Sequence, residues 1–223
     1  MIQENLAQVQ QTIHEACALA NRANDAVTLV AVTKTVDAKV TESLIRLGQL
    51  HCAENRVDKF LAKKEALQAY PEVRWHFIGN LQRRKVKDVI NEIDYFHALD
   101  SLRLADEIQK RAEKVIKCFV EVNVSGEESK HGISPEEVEH FIRSLAEHTQ
   151  IQVIGLMTMA PFESTEQEQR EIFKKLHLIQ KQIANLKFKH APCLELSMGM
   201  SNDYPIAISQ GATYVRVGTA LFR

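Results

Sequence analysis

Lys34 is the residue in this chain whose position most needs a chemical reason. It ends Leu29-Val30-Ala31-Val32-Thr33, a run of apolar and β-branched residues suited to a strand buried on both faces. A lysine there either snorkels to solvent or keeps its amine out of water, where the neutral, nucleophilic form is favoured. A dry amine of that kind condenses with an aldehyde. Two later stretches suggest an anion: Ser197-Met198-Gly199-Met200-Ser201 and Arg216-Val217-Gly218-Thr219. Gly199 lets backbone approach a ligand, and Ser201 is placed to cap the next short helix. Free N–H groups near an arginine suit a phosphate dianion. Each stretch alone reads more simply as an ordinary turn between strand and helix; the two together favour a phosphate cradle. Lighter candidates are Asn55, which either meets a ligand oxygen or caps a helix, His76 inside a strand, and Met157 at a strand end.

The elements that must position these residues alternate along the whole chain. An amphipathic helix spans about residues 4–23, with Leu6, Val9, Ile13, Ala16 and Ala20 on one face. Strands follow at 29–34, 51–53, 74–78, 95–99, 118–124, 151–157, 193–197 and 214–217. Between them lie helical segments with start and stop signals: Asp37 as a cap with Gly48 as a stop, Asp100 or Ser101, and Ser164 or Thr165. Ser134-Pro135-Glu136-Glu137 has the pattern of a capping box. A polar loop is expected over 125–132, and the basic cluster Arg83-Arg84-Lys85-Lys87 is expected to be a solvated helix face.

Eight strand–helix alternations without a change in composition predict a single (β/α)8 TIM barrel over 1–223, with an extra N-terminal helix. A doubly wound sheet would carry G-x-G-x-x-G after the first strand, and none is present. Ligands of such barrels sit at the C-terminal ends of the strands, with phosphate after strands seven and eight. An imine-forming lysine at strand one would then face a phosphate grip across the barrel mouth. Pyridoxal 5′-phosphate (PLP), an aldehyde and a phosphate on one small ring, would span the two.

Composition narrows the setting. Among 223 residues, Lys+Arg 28 against Asp+Glu 29 leaves a net charge of -1, so no broad grip on nucleic acid or anionic membrane is expected. No apolar run reaches the ~20 residues of a membrane helix. Four scattered cysteines, without C-x-x-C, fit a reducing cytoplasm, and no histidine or cysteine spacing suggests zinc.

Ala31-Val32-Thr33-Lys34-Thr35, Glu54-Asn55, Trp75-His76-Phe77-Ile78-Gly79-x-Leu81-Gln82 and Gly155-Leu156-Met157-Thr158-Met159 occur in that order. They are followed by Leu196-Ser197-Met198-Gly199-Met200-Ser201-x-Asp203 and Val215-Arg216-Val217-Gly218. Together these resemble the PLP homeostasis proteins, the YggS/PROSC family. The resemblance implies a fold similar to the barrel domain of alanine racemase, with PLP held as an aldimine on Lys34. It implies that Ser201, Arg216 and Gly218, with nearby backbone, hold the phosphate and that Asn55 lines the ring pocket. His76, Met157, Ser197, Gly199, Met200 and Thr219 complete the expected set of cofactor-binding residues. Departures are Ala53 and Arg84, where the family usually has glycine and asparagine, and the missing glycine after Phe222.

Three activities fit these residues. The expected one is a non-catalytic carrier that buffers PLP or delivers it to apo PLP enzymes in transient contacts, itself a monomer. A PLP-dependent racemase needs a second acid/base over the opposite ring face. The chain reaches Arg223 directly after strand eight without a further β domain, and Tyr70, Tyr95, Tyr204 and Tyr214 offer no evident candidate. A cofactor-free Schiff-base aldolase would use Lys34 directly on a sugar phosphate.

Overall fold

The eight β-rich runs become eight parallel strands in the computed structural model, which describes residues 1–128 and 131–223. They are β1 (Thr28–Val32), β2 (His51–Glu54), β3 (Arg74–Phe77), β4 (Tyr95–Leu99), β5 (Ile116–Glu121), β6 (Ile151–Met157), β7 (Glu195–Ser197) and β8 (Tyr214–Val217). Each pairs with its sequence neighbour, and β8 pairs with β1 to close the barrel. That closure sets Val30 beside Arg216 and Ala31 beside Val217. The expected TIM barrel is therefore present. Ser129 and Lys130 of the expected polar loop lie outside the described residues.

Nine α-helices are described: α1 (Ile2–Leu19), α2 (Ala38–Arg46), α3 (Val57–Ala66), α4 (Arg83–Val89), α5 (Leu102–Arg111), α6 (Val138–Ser144), α7 (Glu166–Asn185), α8 (Tyr204–Ser209) and α9 (Thr219–Phe222). α1 stops four residues before the expected end. It buries Leu6, Val9, Ile13, Ala16 and Cys17 and packs against α8 and α9. Full burial of the three larger side chains is worth about 2 kcal/mol each. Asn5 Nδ2 donates to Leu221 O at 2.9 Å, and Arg22 to Ile208 O at 2.8 Å.

The caps follow side-chain reach. Asp37 accepts from Val40 N–H, Ser101 from Leu104 N–H, and Thr165 forms a capping box with Glu168. The box expected at Ser134 does not form. Pro135–Glu137 wind as a tighter 3-10 turn, and Ser134 makes no side-chain cap hydrogen bond. Val86 and Val89 are buried under α4 while Arg83, Arg84 and Lys87 are exposed, so that basic cluster is a solvated face.

Strand alternation divides the apolar side chains into two sets. Cys52, Trp75, Phe77, Phe96, Cys118 and Val153 belong to the continuous core that includes the surrounding helices. Inside the barrel are Val30, Val32 and Ala53, with Tyr95, Phe119 and Met157 as a second small cluster. Ala53 is thus an interior strand residue. Interleaved with these are polar residues: His76, His97, Ser197 and Arg216 are all buried. A barrel interior filled by layers from alternate strand positions can hold such groups only if they satisfy one another.

Candidate functional site

Lys34 sits in the turn after β1, two residues beyond its end, and its side chain is exposed. The expected dry amine is not found. The strand ends at Val32, and the chain turns so that Val36 N–H donates to Thr33 O at 3.2 Å, lifting Lys34 onto the rim.

What is dry is the support beneath that turn. Glu54, at the end of β2, is 1% exposed and pairs at 2.7 Å with Lys63 from α3, which is 7% exposed. Lys63 Nζ also donates to Thr33 O at 2.7 Å and Val36 O at 2.8 Å. Its three N–H donors are therefore all used, two of them on the carbonyls that bracket Lys34 and Thr35. Thr33 Oγ1 donates to the same Glu54 Oε2 at 2.5 Å. Glu54 Oε1 is buried without a partner among the described residues. Asn55 follows, half-buried; the N-cap position of α3 is Arg56, so Asn55 does not cap that helix.

The second group of candidates adjoins the first. Gly218 follows β8, and a Cβ added to it would lie 3.1 Å from Val32 O. Because β1 and β8 are neighbours, the Lys34 turn and the Gly218–Thr219 turn stand side by side on one rim and do not face each other across the mouth as expected. Ser201 Oγ accepts from Gly218 N–H at 3.3 Å and Ala220 N–H at 3.2 Å. It therefore caps α9, not the α8 expected. Asp203, just before α8, ties the preceding turn instead, its Oδ1 accepting from Met200 N–H at 2.7 Å. No protein acceptor takes the N–H groups of Ser201, Asn202 or Thr219 among the described residues. Gly199 makes this turn possible. Its φ is +103°, and an added Cβ would lie 2.7 Å from Ala207 Cβ and 3.0 Å from Tyr204 Cα.

Arg216 is buried below this turn. It donates to Ser197 Oγ and, at 3.2 Å, to Thr158 O. Burial lowers its guanidinium to about 10, opposed by Asp203 and Glu121. Burial raises the Asp203 carboxyl from its ordinary value, with Met200 N–H and Arg216 acting against that. Met157 packs on Tyr95 and Phe119 inside the barrel, one strand from Ser197. His76 is not at the rim. It is fully buried, stacked on Tyr95 at 4.2 Å, with one ring nitrogen against His51 and the other against His97.

Lys34, Asn55, Gly199, Met200, Ser201, Gly218 and Thr219 thus lie on turns at the C-terminal ends of β1, β2, β7 and β8, over a floor of Ser197 and Arg216. Sequence reasoning missed Lys63, His97, Thr158 and Asp203. Polar residues two apart in otherwise apolar strands, as in Tyr95-x-His97 and Tyr214-x-Arg216, were the available signal for the interior ones. The rim offers a primary amine, three backbone donors and a guanidinium close by, a donor set that fits a small phosphorylated aldehyde. No group of His, Cys, Asp and Glu is arranged to hold a metal ion among the described residues. Two cavities, of about 520 and 660 Å³, lie away from Lys34.

Residues 3–223 match the family described as alanine racemase, N-terminal domain. The chain is 40% identical over 225 residues to a pyridoxal phosphate homeostasis protein of Aquifex aeolicus, covering 98% of this chain and 96% of the relative. Its counterpart in Escherichia coli K12 is 34% identical, covering 99% and 95%. PipY of Synechococcus elongatus, solved with PLP bound, aligns over 100% of both chains at a TM-score of 0.87 and 30% identity. Alanine racemase of Corynebacterium glutamicum aligns at a TM-score of 0.68 and 15% identity, over 98% of this chain and 60% of the racemase, and shares the fold.

Proposed function

This chain belongs to the family of pyridoxal phosphate homeostasis proteins, and from that premise we propose that it binds PLP covalently on Lys34 and buffers or delivers it without turnover. The single observation that carries the reading is the adjacency of the Lys34 turn to the Gly218–Ser201 turn, enforced by pairing of β1 with β8. PLP supplies an aldehyde that a primary amine captures, together with a phosphate dianion. An exposed Lys34 reaches an incoming aldehyde directly. The Glu54–Lys63 pair fixes the backbone from which it reaches. The N–H groups of Ser201, Asn202 and Thr219, with Arg216 beneath, orient the phosphate. Asn55 borders the ring, and Met157 packs in the barrel interior beneath it.

A carrier is favoured over a racemase by where the tyrosines lie. Tyr95 and Tyr214 are packed together inside the barrel, Tyr70 is bonded to Glu42 and Arg46, and Tyr204 is buried at the start of α8. None is free on the rim to serve as a second acid/base. An amine on an open rim also suits exchange of its ligand with an apo-enzyme in cytoplasm. Protein incubated with PLP and gel-filtered should be yellow, and Lys34→Ala should be colourless while equally folded. Colour retained by Lys34→Ala, or racemisation of alanine at a sustained rate, would refute the reading.

A further inference from the structure

Three histidines and a serine form an unbroken hydrogen-bonded row through the barrel. His51 Nδ1 lies 2.8 Å from His76 Nε2, His76 Nδ1 lies 2.8 Å from His97 Nε2, and His97 Nδ1 lies 2.8 Å from Ser197 Oγ. Arg216 Nη1 closes the row on Ser197 Oγ. His51 begins β2, whereas Ser197 ends β7, so the row runs from the N-terminal end of the barrel to the floor of the site. At its outer end His51 is half-buried and lines a cavity of about 660 Å³ with Gln10, His14, Gln49 and Arg74.

The direction of every hydrogen bond follows from one residue. Arginine only donates, so Ser197 Oγ accepts from it. Among the described residues His97 Nδ1 is the acceptor within reach of the serine hydrogen, so the hydroxyl donates to it, which places the hydrogen of a neutral His97 on Nε2. His97 Nε2–H donates to His76 Nδ1, and His76 Nε2–H donates to His51 Nδ1. His51 is left with its own hydrogen on Nε2, at the cavity. One hydrogen per ring requires neutral imidazoles, and burial holds His76 and His97 well below the usual imidazole range. Arg74, Asp94 and Lys117 act on His51, and Glu72 and His14 line the same cavity. Arg216 faces His97, with Asp203 and Glu121 behind it.

We propose that this row is a proton wire joining the floor of the ligand site to water at the opposite end of the barrel. When a group at the site gives a proton to Ser197 Oγ, the Ser197 O–H bond breaks as His97 Nδ1–H forms. The Nε2–H bonds of His97 and His76 break in turn as His76 Nδ1–H and His51 Nδ1–H form. His51 finally loses its Nε2 proton to water in the cavity. The net transfer is one proton from the site to solvent, and the rings must reset their hydrogens before the next. Resting on the PLP reading, the donor is the fraction of ligand that arrives with a monoanionic phosphate, whose second pKa is about 6, and it becomes the dianion that Arg216 favours.

The wire is tested on ligand-free protein with 15N-labelled histidine, so its failure is separate from any failure to bind PLP. Nitrogen shifts should place hydrogen on Nε2 of both His76 and His97, with N–N couplings resolved across both histidine–histidine hydrogen bonds. The Nε2 hydrogens of His76 and His97 should exchange with solvent far faster than backbone amides of the neighbouring strands. His51→Phe, which cuts the outer end, should slow exchange at both by about tenfold or more. Hydrogen on Nδ1, missing couplings in the wild type, or exchange unchanged by His51→Phe would reduce the row to a static network and overturn the proposal. If His51→Phe fails to fold, the wild-type tautomers, couplings and exchange rates decide alone.

Discussion

Replacing Lys63 by methionine removes the cation that holds the Lys34 turn while keeping the length of its apolar stem. Three hydrogen bonds disappear, to Glu54 Oε2, Thr33 O and Val36 O. The larger cost is what stays behind. Glu54, at 1% exposure, would keep a charge with no cation beside it and one oxygen already without a partner. Breaking a buried pair from one side costs about 3–5 kcal/mol. That is a large share of a typical stability of about 5–15 kcal/mol. Lys63→Met is therefore expected to lower the urea midpoint sharply at an unchanged slope. Glu54→Leu with Lys63→Met removes both charges and should recover most of the loss, because desolvating the pair offsets much of its attraction. Backbone amides of the Lys34 turn should exchange faster in the single variant, and PLP capture should slow with them. A cost below about 1 kcal/mol, or a double variant no more stable than the single one, would refute the claim that this pair supports the turn.

Gly199→Ala forces a side chain into a left-handed conformation and into contact with Ala207 and Tyr204, so a loss of about 2–4 kcal/mol and weaker PLP binding are expected from thermal melts and PLP titration. Ser201→Ala leaves Gly218 and Ala220 N–H without their acceptor and should cost about 1 kcal/mol, a fall in Tm of roughly 2–4 °C. Burial depresses His76 and His97 in the folded state, so below the unfolded value near 6.5 the unfolded chain binds more protons and stability falls with pH. Each histidine should cost about 1.4 kcal/mol at pH 5.5, close to 3 kcal/mol for the two, measured by urea unfolding at pH 7.5 and 5.5. Imidazolium signals from His76 or His97 in the folded protein at pH 5.5 would show that these rings are not held neutral.

The order of elements was legible because each one obeys a local rule. Leu6, Val9 and Ile13 repeat at helical spacing, β1, β5, β6 and β8 carry β-branched residues, and Asp37, Ser101 and Thr165 each cap the helix that begins beside them. Eight alternations then leave few architectures other than a closed barrel. Lys34, Gly199, Ser201, Arg216 and Gly218 were also legible, since an amine, an arginine and glycines at strand ends depart from what packing alone would select. Their relative placement was not. Strand period says which face a side chain takes, but which residues share a layer depends on register between strands, and register is fixed only when the barrel closes. Closure brought Gly218 against Val32 and put the two halves of the site next to each other. The same closure lined up His51, His76, His97 and Ser197, drawn from four different strands, at hydrogen-bond distance. Helix α3 packing onto β2 likewise carried Lys63 to Glu54, so the turn was anchored from below and Lys34 was left in water. Sequence chose the groups, because chemistry and local geometry are written residue by residue; the folded barrel chose the partners, because partnership is a distance in space.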